Sequence, residues 1–482
     1  MKKAILYIAI LLLTISCEDY LELIPPDGLI KSEFWKSKED MESVLMGAYQ
    51  KFAAMDESLF YLGEVRAGML REDQNTPVFL KEIFDGIILP DNQLCNWRDF
   101  YMVINYCNAV IKNAPAIKEI DLTLTDYQRD IFISEATFLR SLAYFYLVRT
   151  FRDVPMILEP VETDGVEIYL PASESSVVLE QIKSDLLSIR LKATSDFGSP
   201  EMNKGRATRA AITALLADIS LWNFEYEQCI GYVEDIEEMG FPVIPNSQWF
   251  SIFYPGNSAE SIFEFQFNSA YGESNTLYSI TKKDAKRFFV SHKAYNLFFG
   301  SVFEFEETRG RGTMTTDRRI FKYMGREADG KTMRSGSEQN ECNFIIYRMS
   351  DLVLMKAEAL SQLSRFEEAL GIVNNIRIKR RVSQVHPSFT MEAFEDVILE
   401  ERALELAYEG KRWFDLLRMG RRNDNARKAD LIEIIVENVE STRKPVMEAR
   451  LTNPSGWYLP IFNIELERNK YLEQNPYYDD SY

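Results

Sequence analysis

The chain has 482 residues, of which 46% are hydrophobic and 13% aromatic, and it carries a formal net charge of −19 at pH 7. This composition is that of a folded globular protein, long enough for one large helical domain or two closely packed lobes. The charge repels nucleic acid and anionic lipid headgroups at long range. We therefore expect no nucleic-acid partner, and we expect strongly anionic polymers to be poor ligands unless a local basic pocket overrides that field.

The N-terminus has the pattern of a secretory signal that ends at a cysteine. Lys2 and Lys3 precede ten apolar residues at 4–13, and small or modest residues lead to Cys17. The apolar run is about half the ~20 residues that span a bilayer. We predict a signal peptide at 1–16 and a lipid on Cys17, which would hold the protein on a membrane. The alternative is ordinary cleavage, with no modification of Cys17.

The next segment, residues 17–33, contains Pro25, Pro26 and Gly28 and is predicted to be an extended tether. Helical spacing of apolar residues begins after it, first over residues 40–52. A stronger helix is predicted over 134–151, ending before Asp153-Val154-Pro155. Residues 261–267 could form a short strand. The predicted class is therefore mostly α.

An internal repeat indicates how these helices are arranged. Residues 215–236 align without a gap to residues 355–376, at an offset of 140. Small residues twelve apart on two successive helices permit the close antiparallel packing of a tetratricopeptide-like helical hairpin. The alternative is two unrelated amphipathic hairpins. The matched positions include Ala217 with Ala357, Tyr226 with Phe366, Cys229 with Ala369 and Gly231 with Gly371.

The remaining cysteines are predicted to be small core residues. Cys95 and Cys107 lie about 18 Å apart along one predicted helix, too far to pair with each other. Two disulfides are possible in principle in an exported protein, but we interpret Cys95, Cys107, Cys229 and Cys342 as buried thiols.

Residues 400–418 are rich in carboxylates, which raises the question of acid–base catalysis. We place them on one helix, where Arg402 with Glu405, Glu409 with Arg412 and Asp415 with Arg418 have ion-pair spacing. Gly410 marks a kink or a close backbone contact. We interpret the segment as an ion-paired scaffold around Trp413.

Enzyme motifs are otherwise missing from the sequence. It has two histidines, His292 and His386, and it has no HExxH, GxSxG or phosphate-binding Gly-Lys-Ser/Thr motif. We expect no catalytic residue, no metal and no cofactor. A glycosidase with two distant carboxylates is not excluded by motif.

Several blocks, in order along most of the chain, resemble the SusD/RagB family of nutrient-binding outer-membrane lipoproteins. The most specific is EGKRWFDL at 409–416. A departure is Arg152, which stands where the family usually has glycine. The other blocks are CEDYLELIP at 17–25, residues 135–155, GRAT at 205–208, residues 347–359, YLPI at 458–461 and QNP at 474–476.

This resemblance implies a tetratricopeptide-like scaffold with an irregular, loop-rich ligand-binding lobe. It implies an N-terminal region at 34–240 and a C-terminal region at 241–482, packed as one globular unit. The protein would be lipid-anchored at Cys17 in the outer membrane, facing the cell exterior. It would capture an oligosaccharide for a TonB-dependent, SusC-like β-barrel transporter, without catalysis. There are two alternatives. The protein could capture an oligopeptide by the same means, or it could be a surface glycosidase.

Two stretches outside the predicted helical scaffold are rich in aromatic, amide and charged residues, which together suit sugar binding. They are residues 60–96 and 249–323. For any single aromatic, packing in the core is the competing role. The candidate ligand-binding residues are Tyr61, Arg66, Arg71, Asp73, Asn75, Tyr254, Tyr271, Asn275, Tyr278 and Tyr323.

Overall fold

The structure is a computed structural model of the chain, and it describes residues 34–161, 169–299, 308–323, 325–334, 340–388 and 390–479. The predicted signal peptide, Cys17 and the tether lie outside these residues. The first helices are α1 (Lys38–Ala53), α2 (Asp56–Glu64), α3 (Val78–Asp85), α4 (Arg98–Ile120), α5 (Asp126–Phe151), α6 (Ser175–Ile189), α7 (Pro200–Gly205), α8 (Arg209–Trp222) and α9 (Tyr226–Glu238).

The second half adds shorter helices and two small sheets. Its helices are α10 (Leu277–Thr281), α11 (His292–Phe299), α12 (Arg309–Thr313), α13 (Met349–Gln362), α14 (Phe366–Arg380), α15 (Met391–Glu405), α16 (Arg412–Asn425), α17 (Lys428–Val436), α18 (Lys444–Thr452), α19 (Asn463–Arg468) and α20 (Pro476–Asp479). The strands are β1 (Leu70–Glu72), β2 (Ser261–Phe265), β3 (Phe288–Val290) and β4 (Phe344–Arg348). Antiparallel pairs form between β1 and β3 and between β2 and β4. The mostly α class and the short strand near 261 are confirmed.

Helix α5 is the central helix of the N-terminal region. It begins with a capping box, in which the Thr125 hydroxyl accepts from the Gln128 N–H and the Gln128 side chain accepts from the Thr125 N–H. Among the described residues, α5 is the one helix long and apolar enough to cross a membrane, but 83% of its apolar window is buried in the protein. It is therefore a core helix, packed against α1, α4 and α6.

The internal repeat is confirmed as two helical hairpins, α8–α9 and α13–α14. Each turn has one residue at a φ of 62°, Phe224 in the first and Ser364 in the second, 140 positions apart. The Glu225 N–H donates to Ser220 O at 2.8 Å, and at the matching position the Arg365 N–H donates to Leu360 O at 2.9 Å. The hairpins pack on each other through α9 and α13, which joins the regions on either side of residue 240. The division into 34–240 and 241–482 stays a prediction.

The carboxylate-rich segment at 400–418 differs from the prediction of one helix with local ion pairs. Helix α15 ends at Glu405 and α16 begins at Arg412, so a turn separates them. Glu409 contacts Lys322 and Arg348 instead of Arg412, and Glu405 contacts arginines distant in sequence. Of the predicted pairs, Asp415–Arg418 is present, at 3.0 Å. These ion pairs join residues that are distant in sequence, and they are buried. Residue spacing along a single helix could predict neither their partners nor their burial.

Gly410 in that turn makes the close backbone contact that the sequence indicated. Its φ is 74°, and a Cβ on Gly63 would lie 2.0 Å from Gly410 O. Because neither glycine has a side chain, α2 can approach the turn closely. The next residue of α2, Glu64, accepts hydrogen bonds from the Gly410 and Lys411 N–H groups.

All four cysteines within the described residues are free and buried. Burial raises the pKa of the Cys95 and Cys229 thiols well above the ordinary value and raises that of Cys107 to about 12. These thiols stay protonated and behave as small core side chains, as predicted.

Candidate functional site

The two stretches singled out in the sequence meet in the structure. Strand β1 pairs with β3, so that Arg71 lies opposite Phe289 and Leu70 lies opposite Val290. Because side chains alternate along a strand, Leu70 and Val290 point to the core, and Arg71 and Phe289 share the opposite face. This two-stranded ribbon presents an arginine and an aromatic ring side by side.

The outer face of the ribbon forms one wall of a cleft of about 500 Å³. That volume lies within the range of about 300–1,000 Å³ that is usual for ligand sites. The lining residues come from three separate parts of the chain and are mostly charged or polar. They are Arg71, Glu72, Asp73, Gln74, Lys81, Phe289, His292, Arg318, Glu440 and Arg443.

The loop after β1 is tied to the segment before β3. The Asn75 N–H donates to Lys286 O at 2.9 Å, and its side-chain amide donates to Ala285 O at 3.2 Å. Lys286 Nζ donates to Gln74 Oε1 at 3.3 Å. Segments 210 residues apart are thereby joined next to the cleft.

Phe289 is half-buried and is backed by an anchored guanidinium. Arg319 Cζ lies 4.0 Å from the ring centroid of Phe289. Arg319 Nη1 donates to Asp73 Oδ2 at 2.6 Å and to Phe288 O at 2.7 Å. Asp73 thus fixes the arginine behind the ring, while Arg318 Cζ lies 5.6 Å from the same centroid. The ring is held in place, as a sugar-stacking surface requires.

The acidic side chains of the cleft all have cationic partners. Asp73 pairs with Arg319, as described above. Arg443 Nη1 lies 3.0 Å from Glu72 Oε1 and also contacts Asp85. Arg71 Nη2 lies 3.5 Å from Glu440 Oε1, a long contact between two part-exposed groups. Such exposed pairs contribute little to stability, so Arg71 is available to a ligand.

Four of the predicted site residues are buried and bonded inside the protein. The Tyr61 hydroxyl donates to Glu57 Oε1 at 2.6 Å, and the Tyr323 hydroxyl donates to Tyr408 O at 2.9 Å. Arg66 Nη1 donates to Trp457 O at 3.0 Å, and Asn275 Nδ2 donates to Cys342 O at 2.7 Å. Burial raises the pKa of both tyrosines and, with Arg450 nearby, lowers that of Arg66 to about 9. These four side chains pack inside the protein. The sequence could not show this, because the same residue types occur in ligand sites and in protein interiors.

The remaining predicted residues divide between the cleft and other places. Arg71 and Asp73 line the cleft, and Asn75 lies in the adjoining loop. Tyr254 is half-buried, with Arg334 Cζ 4.7 Å from its ring, and Tyr278 is half-buried, with Lys282 Nζ 5.6 Å away. Neither residue lines the cleft. The side chain of Tyr271 lies outside the described part of the structure.

Sequence reasoning missed most of the other residues that line the cleft. Phe289 was detectable in principle, because alternation in the run Phe288-Phe289-Val290 places it opposite to its neighbours. Glu440 and Arg443 follow α17 and reach the cleft through tertiary packing alone. No local pattern in the sequence marks them.

Two sequence models of related families match the chain. The SusD family model matches residues 306–478, and a model described as "Starch-binding associating with outer membrane" matches residues 19–221. A SusD-like protein of Formosa agariphila is 25% identical over 465 residues, covering 84% of this chain and 88% of its own length.

Solved structures show the same fold. A SusD superfamily protein from Bacteroides thetaiotaomicron superposes with a TM-score of 0.75 at 23% identity, covering 92% of this chain and 99% of the other. A laminarin-binding SusD-like protein superposes with a TM-score of 0.72 at 20% identity, covering 92% and 99%. The chain belongs to the SusD-like family, and the resemblance recognised in the sequence is confirmed.

Proposed function

We propose that this protein binds an oligosaccharide in the cleft beside β1 and β3 and delivers it to a TonB-dependent, SusC-like outer-membrane transporter. The observation that carries the proposal is the half-buried ring of Phe289, held by Arg319 in a 500 Å³ cleft with amide and charged groups around it. Aromatic faces bind sugar C–H groups, and such polar groups orient the hydroxyls. The family models, one of them described as starch-binding, support this class of ligand.

The protein acts in this proposal as a binding protein and not as an enzyme. Glu401, Glu405, Glu409 and Asp415 are engaged in buried ion pairs, which gives these carboxylates a structural role. The acidic residues of the cleft are likewise paired. Hydrolysis of a polysaccharide by the pure protein would contradict this part of the proposal.

The anchor proposed for the protein is a lipid on Cys17. It would hold the protein on the outer membrane, facing the cell exterior, with residues 18–33 as a tether. The description of the matching family model as associating with the outer membrane supports this location. A tether there would keep the binding domain close to its transporter.

Glycan binding is tested by replacing the aromatic ring. The Phe289→Ala variant should bind oligosaccharides several-fold to about tenfold more weakly, because it loses the apolar area of the ring and a stacking contact that we take as roughly 0.5–1.5 kcal/mol, the value for aromatic side-chain pairs. Tyr471→Ala is the control, since Tyr471 is 52% exposed and lies outside the cleft. Calorimetric titration with a panel of oligosaccharides gives the affinities. Binding of peptides and of no glycan would overturn the proposal.

Delivery to a transporter is tested separately. Purification of the native protein from membranes in mild detergent should recover a large β-barrel protein in the same complex. Recovery of the protein alone, under conditions that keep known membrane complexes intact, would contradict the transporter partner and leave glycan binding standing.

A further inference from the structure

We infer that the oligosaccharide taken by this cleft is anionic, carrying carboxylate or sulfate groups on its sugar rings. The inference rests on the proposed glycan-binding function and specifies its ligand class. Its basis is the balance of partnered and unpartnered charges among the residues that line the cleft.

The acidic residues of the cleft are already compensated. Asp73 is paired with Arg319 at 2.6 Å, and Glu72 is paired with Arg443 at 3.0 Å. Glu440 has the long contact with Arg71. Each carboxylate among the lining residues therefore has a cation beside it, with Arg443 shared between Glu72 and Asp85.

Two cations of the cleft have no such compensation. Within the described ranges, neither Lys81 nor Arg318 has a carboxylate partner, although both line the cleft. Both side chains are partly exposed, and the exposed His292 lies beside them on the cleft wall. The cleft thus has a surplus of positive charge in a protein whose formal net charge is −19.

That surplus acts locally despite the negative charge of the whole protein. The Debye length is about 8 Å at physiological ionic strength, so carboxylates on distant surfaces are largely screened. A ligand inside the cleft responds mainly to the charges of the cleft wall, among which Lys81 and Arg318 are uncompensated. The long-range field then opposes adventitious binding of large polyanions, while the cleft accepts a short anionic chain.

The geometry around Phe289 explains how a charged sugar would be recognised. Arg318 Cζ lies 5.6 Å from the ring centroid, and Arg71 is the cross-strand neighbour of Phe289. A sugar stacked on the ring would bring its equatorial substituents close to both guanidinium groups. Guanidinium binds carboxylate and sulfate oxygens through two parallel N–H donors, which neutral hydroxyls do not match as well.

The test compares ligands that differ only in charge. Tetragalacturonate is compared with its methyl ester, and a sulfated carrageenan tetrasaccharide with its desulfated form, by calorimetric titration. We expect the charged member of at least one pair to bind ten- to a hundredfold more tightly, and which pair does so distinguishes carboxylate from sulfate recognition. Equal affinity within both pairs, or preference for the neutral members, overturns the inference while glycan binding stands.

Variants assign the effect to the cleft. Arg318→Met should weaken binding of the charged ligand about tenfold and leave the neutral ligand within about twofold, since a charge-assisted hydrogen bond is worth roughly 1.5–3 kcal/mol. Arg468→Met is the matched control, because Arg468 is exposed and lies outside the cleft. An equal loss for both ligands would mean that Arg318 acts only in shaping the cleft and would overturn the inference. Binding of an acidic hexapeptide, with no glycan bound, would overturn both the inference and the proposed function.

Discussion

Arg348 and Glu409 form a two-point ion pair in the interior of the protein. Arg348 Nε donates to Glu409 Oε2 and Nη2 donates to Oε1, each at 2.9 Å, and both side chains are 1% exposed. Arg348 also donates to Glu260 and Glu405 through Nη1, at 2.7 and 2.9 Å. One guanidinium at the end of β4 therefore joins the residue before β2, the end of α15 and the turn that follows it.

Removing this guanidinium should be among the most damaging changes in the protein. Arg348→Met leaves three buried carboxylates short of a cation, which costs about 3–5 kcal/mol for such pairs. Arg365→Met is the control, because the Arg365–Glu368 pair is exposed and should matter by less than about 1 kcal/mol. Urea unfolding followed by circular dichroism measures both. Equal stability of the two variants would contradict the structural importance of the buried network.

Arg152 stands where the family usually has glycine, and its backbone conformation shows why glycine suits this position. It ends α5 at a φ of 72° and a ψ of −79°, a conformation that favours glycine. Its Nε pairs with Asp153 at 2.7 Å on the surface, a weak contribution. Arg152→Gly should therefore raise the free energy of unfolding by about 1 kcal/mol.

The control for that substitution is Arg129→Gly. Arg129 also pairs with the next residue, Asp130, at 2.7 Å, but it lies within helical backbone. Glycine there should lower stability by roughly 1 kcal/mol. If both substitutions destabilise equally, the backbone at Arg152 is not strained.

Glu64 predicts a pH dependence of stability. Its Oε1 accepts from the Gly410 N–H at 2.8 Å and from the Lys411 N–H at 3.1 Å, while Oε2 has no partner among the described residues. Burial raises the pKa of Glu64 from 4.5 to about 8. Between these two values the folded state keeps a proton that the unfolded state releases, so the contribution of Glu64 to stability falls as pH rises.

The measurement is thermal unfolding between pH 5 and pH 8. Wild-type protein should lose stability from this group across that range, and Glu64→Gln, which stays neutral, should lose less. Glu201→Gln is the control, since Glu201 is exposed. A Glu64→Gln variant with the same pH profile as wild type would show that Glu64 is not the titrating group.

Cys17 determines membrane attachment in the proposed function. Cys17→Ala should move the protein from the membrane fraction to the soluble fraction, because no lipid can then be attached. Cys229→Ala should stay in the membrane fraction, since Cys229 is a buried thiol in α9. Fractionation and immunoblotting of cells give the result. Membrane retention of the Cys17→Ala protein would contradict lipid anchoring at this residue.

The scaffold could be predicted from sequence because its signals are local. The positions that match across the repeat, such as Cys229 and Ala369, are buried where two helices approach. Periodicity and small-residue spacing report such packing directly. The buried ion pairs could not be assigned this way, because Glu405 and Glu409 find partners as far away as Arg309 and Lys322.

The candidate site was predicted only in outline. Arg71 and Asp73, which the sequence suggested as ligand contacts, line the cleft, whereas Tyr61 and Tyr323 are core residues. The sequence identifies a tyrosine but does not report whether its ring is packed in the core or exposed to a sugar. Only the tertiary contacts distinguish the two cases. Phe289 was overlooked because the alternation that distinguishes it from Phe288 and Val290 extends over only three residues.

The composition of the cleft has a consequence for the stage of folding at which it forms. Its walls come from residues 71–81, from Phe289, His292 and Arg318, and from residues 440–443, so the proposed binding site is complete only after nearly the whole chain has folded. Contacts between such distant segments form late, because closing long loops costs chain entropy. In the proposed function, ligand affinity is therefore a readout of complete folding.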